Sequence, residues 1–189
     1  MTVILAPIDP EPKTKSRAID IYKSDIYKSI EGITQKHTDA LGDAVDVKVR
    51  DSVAADPAED LDGIVLAEHV AIRDAALRKR LQRVLEDEEV ECANNQLDVQ
   101  DNAFHYALVL PEVIKDTILK PLARYMHRYI VYGVLFDWYS EMGLTQQASV
   151  YEQQVTLMEQ EIAGALKGPS ITKKPLQPFG PAGKHAPII

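Results

Sequence analysis

The chain has 189 residues, enough for one domain with extensions. Its formal net charge is −8 at pH 7 and its pI is near 5.1, which excludes a broad basic surface for wrapping DNA or RNA but leaves local basic patches open. A single cysteine, Cys92, excludes an intrachain disulfide and any multi-cysteine metal cage within one chain, and it fits a reducing compartment.

The opening run from Met1 to Pro7 lacks a basic region, and its apolar part is too short for a signal peptide. No apolar run reaches the roughly 20 residues that span a bilayer. The expectation is a soluble protein made in a cytoplasm. Pro7, Pro10 and Pro12 exclude regular helix from residues 1–15, which read as an arm. Its head, Thr2 to Leu5, is apolar and β-prone. It either frays or is received by a sheet edge.

From Ser16 onward Ile19, Tyr22, Ile26, Ile30, Ile33, His37 and Leu41 recur at three- and four-residue steps, predicting a helix that Gly42 stops. Val45, Val47 and Val49 then alternate with Asp46, Lys48 and Arg50, as in a short strand. Ile64 to Leu66 offer a hairpin partner across the loop from Asp56 to Asp60. The same residues also suit a helix capped by Asp56 with Pro57 in its first position, and the helix is preferred.

A further helix is predicted from about Ala71 to Val90, with Ile72, Ala76, Leu77, Leu81, Val84 and Leu85 as its apolar stripe. Its polar side carries Arg78, Lys79, Arg80 and Arg83, followed by Glu86, Asp87, Glu88, Glu89 and Glu91. In a helix that long the acid sits at the C-terminal end, against the macrodipole, and the basic block comes too early to offset it. The order suits a solvated face. It also suits a two-ended surface that pairs head-to-tail with the next copy and closes into a ring.

Residues 92–110 read as a connector with turn formers Asn94, Asn95, Asp101 and Asn102. Pro111 then opens a helix that runs to Met142 and carries Tyr125, Tyr129, Tyr132, Phe136, Trp138 and Tyr139. Pro121 should kink it or split it in two. Ile114, Ile118, Leu122, Tyr125, Tyr129, Gly133 and Phe136 line one side, and Met126, Ile130, Val134 and Trp138 the adjoining one. A helix so widely apolar is central or lies at an interface. Gly143 ends it, Thr145 caps the next, and Ala148, Tyr151, Val155, Met158, Ile162 and Leu166 form a single stripe before Gly168 and Pro169. The tail, 168–189, holds five prolines, is locally basic at Lys173, Lys174 and Lys184, and carries Leu176, Phe179, Ile188 and Ile189. It reads as an extended arm that orders against a partner.

Chemistry is sparse. His37, His69, His105, His127 and His185 fall in different elements with no helical ligand spacing, and no Glu-x-x-His occurs. There is no zinc-helix motif, phosphate loop or nucleophile elbow. His127 is placed on a polar edge with Arg124 and Arg128, and each histidine is expected to be structural. Cys92 lies beside acids that disfavour its thiolate. No catalytic residue, cofactor or metal is expected. Arg124 and Arg128 are too few for a base-stacking groove, so core packing is expected for the aromatic stripe.

Residues 125–166, with Trp138-Tyr139, the turn at Gly143, and then Ala148 and Tyr151, resemble the closing helix pair of head–tail connector (adaptor) proteins of tailed bacteriophages. The resemblance implies a non-enzymatic virion protein that forms a ring, commonly twelvefold, between the portal and the neighbouring neck or tail proteins. The DNA would pass as cargo through an acidic channel that repels phosphates. It would sit in the virion neck with no membrane contact. Arg78, Lys79, Arg80, Arg83, Glu86, Asp87, Glu88, Glu89, Trp138, Tyr139, Leu176, Phe179, Ile188 and Ile189 are the candidate interface residues. The expected fold is all-α: a helical bundle over 16–167 with a long C-terminal hairpin, room for one short β-hairpin, and arms at 1–15 and 168–189. Two alternatives stand beside it. One is a cytoplasmic helical binding module or assembly chaperone. The other is an enzyme whose site forms between chains from His127, Arg124 and Glu141.

Overall fold

The computed structural model describes residues 13–41, 55, 60–85 and 102–167. The expected strand at Val45–Val49, the cap at Asp56 and Pro57, the acidic block from Glu86, Cys92 and both arms, with Leu176, Phe179, Ile188 and Ile189, lie outside the described residues. In chain order the elements are β1 (Thr14–Tyr22), α1 (Lys23–Leu41), α2 (Asp60–Leu81), β2 (Ala103–Pro111), a 3-10 turn (Asp116–Ile118), α3 (Leu119–Glu141) and α4 (Thr145–Lys167). Among the described residues the fold is a helical bundle with a long C-terminal hairpin and one antiparallel pair of strands.

The two described strands lie where the sequence predicts a helix and a connector. The helix expected from Ser16 begins at Lys23, because the residues before it obey a period of two. Arg17, Ile19 and Ile21 point inward while Ser16, Ala18, Asp20 and Tyr22 are exposed. Tyr22, read as part of a helical stripe, is 54% exposed. The expected connector likewise contains β2, whose Tyr106, Leu108 and Leu110 are fully buried. Register runs from Thr14 opposite Pro111 to Tyr22 opposite Ala103, so Ile19 meets Tyr106 and Arg17 meets Leu108 on one face. On the other edge of β2, the Val109 amide donates to the Val84 carbonyl at 2.6 Å and Leu85 bridges to Leu108.

Three helix boundaries also move. Ile64 to Leu66 lie inside α2, so they are not half of a hairpin. That helix ends at Leu81, not Val90, which places Arg78, Lys79 and Arg80 in its last turn. The basic block therefore complements the macrodipole, the reverse of the expected order. Ile72, expected in the stripe, is 51% exposed, and Leu66, Val70, Leu77 and Leu81 form the buried face. Pro111 closes β2 rather than opening the aromatic helix, which starts at Leu119. Pro121 is then the third helical residue, where the backbone amide has no partner within the helix, so the expected cause of a kink is absent.

α3 is the central element and packs on α1, α2, α4 and β1. It buries Leu122, Met126, Tyr129, Ile130, Val131, Val134, Leu135, Trp138 and Tyr139. The turn into α4 has the double hydrogen bond that closes many helices at glycine. The Leu144 amide donates to the Tyr139 carbonyl at 2.9 Å and the Gly143 amide to Ser140 at 3.1 Å, with Gly143 at φ 72°. Thr145 is the first helical residue rather than a flanking cap. On α4 Ala148, Tyr151, Val155, Met158 and Ile162 are buried, the stripe the sequence predicts.

Candidate assembly interface

The basic end of α2 divides into two pairs. Arg78 is drawn inward. Its Nε donates to Asp74 Oδ2 at 2.8 Å, and its guanidinium lies 4.8 Å from the Tyr106 ring centroid. The Tyr106 hydroxyl donates to the other Asp74 oxygen. Burial, then the adjacent Asp74 charge, pushes the Tyr106 hydroxyl well above its ordinary pKa, so it stays protonated as donor. Arg80 reaches across to the hairpin, pairing with Glu159 of α4 at 2.6 Å and donating to the Tyr129 hydroxyl at 3.3 Å. Lys79 and Arg83 are exposed. Of the four expected interface cations, two already serve to hold α2 against β2, α3 and α4.

Trp138 and Tyr139 are corrected from interface to interior. Trp138 is 2% exposed and Tyr139 fully buried within a single chain. The Tyr139 ring stacks on His37 at 5.4 Å and on Tyr151 at 5.6 Å between centroids. Its hydroxyl lies 2.8 Å from His37 Nδ1, and the Tyr151 hydroxyl lies 3.3 Å from His37 Nε2. A neutral imidazole has one donor and one acceptor nitrogen, so one tyrosine donates while the other accepts. Burial raises the pKa of both tyrosines, with the Tyr151 charge adding to the effect on Tyr139 and the Tyr132 charge to that on Tyr151. The cluster joins α1, α3 and α4.

A second polar seam joins α2 to α3. Arg73 donates from Nε to Asp137 Oδ2 at 2.8 Å and from Nη2 to Oδ1 at 2.5 Å, a two-point clamp. Its path crosses Gly133, where an added Cβ would sit 2.5 Å from Arg73 Cδ. Buried His69 approaches the same carboxylate with Nδ1 at 3.9 Å. Its Nε2 lies 3.3 Å from Glu141 Oε1 but out of hydrogen-bonding alignment, so that nitrogen has no hydrogen bond among the described residues. Glu141, His127 and Arg124, grouped in the enzyme alternative, are not brought together within one chain. Glu141 ends α3, while Arg124 and His127 sit near its start, about 20–25 Å away along the axis. His127 is half-buried rather than on a polar edge. Burial lowers its pKa, opposed by a backbone hydrogen bond at Asp25 and the Asp25 charge, with Arg128 lowering it further.

Among the described residues no group of three or more His, Cys, Asp and Glu is arranged to hold a metal ion, and no helix is long and apolar enough to cross a membrane. No family model, no curated protein and no solved structure matches this chain. Most polar contacts among the described side chains tie one element of the fold to another. Sequence reasoning missed Arg17, Arg73, Asp74 and Tyr106, and named His69 only as a structural histidine without a partner. Only the Asp74–Arg78 pair carries a local signal, its four-residue spacing on one helix.

Proposed function

We propose that the chain is a structural subunit of a phage neck, forming a ring that seats on the portal and passes DNA to the tail. The observation that carries this reading is the α3–α4 hairpin. Tyr129, Trp138, Tyr139 and Tyr151 of its aromatic seam are buried, its Gly143 turn is fixed by two hydrogen bonds, and the other side of α4 faces outward. A hairpin that is rigid by itself suits repeated identical contacts, because little order has to be gained on docking. The acidic net charge suits a conduit for DNA that must not be held there.

Size exclusion with light scattering, on the protein alone and mixed with a portal ring, tests the reading. A closed oligomer is expected, either free or templated by the portal, with protease protection of residues 1–12 and 168–189 gained on assembly. A monomer or dimer that ignores the portal would sink it and favour a binding module.

A further inference from the structure

Four large aliphatic side chains are exposed on two helices that both pack on α3. Ile64 and Ile72 on α2 are 67% and 51% exposed, and Val150 and Leu157 on α4 are 54% and 47% exposed. Each pair lies on the solvent side of its helix: the seven-residue step from Val150 to Leu157 returns to within about 20°, and the eight-residue step from Ile64 to Ile72 spans about 80° of the α2 surface. At 1.5 Å per residue the pairs span about 12 Å and about 10.5 Å, so they match in length. Midway along the α2 stripe stands exposed Glu68, four residues from each aliphatic. Beyond the stripes stand two exposed charges of opposite sign, Lys79 seven residues after Ile72 and Glu161 four residues after Leu157. Neither is ion-paired among the described residues. The α4 seam has exposed Gln153 between its aliphatic positions and exposed Gln160 beyond Leu157.

We propose that these two faces are the two halves of one contact between copies of this chain, an inference that rests on the ring reading above. The α4 face of one copy lies along the α2 face of the next, helices parallel, with Val150 against Ile64, Leu157 against Ile72, and Glu161 beside Lys79. Within each chain Arg80 already pairs with Glu159, so the last turn of α2 and the acidic side of α4 are complementary where they meet. Lys79 and Glu161 repeat that pairing between copies. Contact of α4 with itself, or of α2 with itself, would leave two of the four exposed aliphatics uncovered. The α2–α4 contact covers all four and gives every copy one donor and one acceptor face, the requirement for a heterologous ring.

Cysteine cross-linking of the full chain in a Cys92→Ser background tests the geometry. Ile72→Cys combined with Leu157→Cys in one chain should give a ladder of covalent oligomers under mild oxidation at assembling concentration. Either cysteine alone should stay monomeric on a non-reducing gel. A covalent dimer from a single-cysteine variant means a self-paired face and overturns the proposal. Assembly seen by light scattering without a ladder overturns it too, while leaving the ring reading intact. Failure to assemble even with the portal removes both. In a parallel series Leu157→Glu should raise the concentration needed for assembly by about thirtyfold or more, the scale of a central anchor. Glu161→Lys should weaken assembly, and adding Lys79→Glu should restore it, with circular dichroism unchanged throughout. No restoration in the double variant excludes the Lys79–Glu161 register.

Discussion

Arg17 is 8% exposed yet charged, and its three contacts show how such a group is tolerated in a strand. Nε donates to Asp116 Oδ1 at 2.7 Å and Nη2 to the Ile114 carbonyl at 2.6 Å, with Nη1 3.4 Å from the Leu110 carbonyl. The guanidinium thus ties β1 to the segment between β2 and α3. The Arg17 hydrogen bond, then the Lys15 charge, holds the Asp116 carboxyl below the ordinary carboxylate value. A lowered folded-state pKa means that ionised Asp116 favours folding above the unfolded value near 3.9, and that this contribution fades as pH falls through the folded value. Asp116→Asn should therefore lower the melting temperature at pH 7, with the gap to the native protein narrowing below about pH 4. Because Asp116 is 64% exposed, added salt should shrink the gap at pH 7 as well. A pH-independent gap would mean that the amide acts through packing alone. At Gly133 the constraint is steric. An alanine there would push Arg73 off Asp137, at a cost of about 1–3 kcal/mol in urea unfolding. The same change should cost far less in an Arg73→Ala background, and equal costs in both would rule out the clash as its cause.

At the scale of elements, α3 and α4 were legible because each carries a long apolar stripe at helical spacing with a glycine between them. β1 was not, because Ile19, Tyr22 and Ile26 are spaced like a helix face across the junction of a strand and a helix. β2 was missed because Ala103 to Leu110 is almost continuously apolar, so it has no period to read, and its partner strand lies far upstream. The candidate interface was half legible. Charge blocks show in the letters, but Arg80–Glu159 and Arg73–Asp137 join residues distant in sequence, so nothing local said which cations face inward. Nor could periodicity tell a buried aromatic from a docking one. Trp138 decides that point by experiment. With Trp138 at 2% exposure, Trp138→Ala should cost about 3–5 kcal/mol in monomer stability, measured by denaturant unfolding. A near-zero cost with lost assembly would return it to the interface. At the turn, Gly143→Ala at φ 72° should cost about 1 kcal/mol, since only glycine takes that backbone without strain.

Over the whole molecule, the sheet and the bundle share one core. Tyr106 and Leu108 from β2, Ile19 and Ile21 from β1, and Trp138 and Tyr139 from α3 belong to the same buried cluster. The strand pairing that completes it joins Thr14 to Pro111, so it closes a loop of about 100 residues before α3 begins. Such long-range closure favours an all-or-none transition, because neither strand has another place to bury its apolar face. The single tryptophan lies on α3, whereas far-ultraviolet circular dichroism reports the helices as a group. The two signals should therefore trace one coincident denaturation curve. An Ile19→Ala change in β1, remote in sequence from Trp138, should shift both curves together to lower denaturant. If fluorescence kept its midpoint while circular dichroism moved, the α3–α4 hairpin would be an independent folding unit. The strands would then be a removable attachment to it, and the inward-facing side chains of β1 would serve only their own sheet.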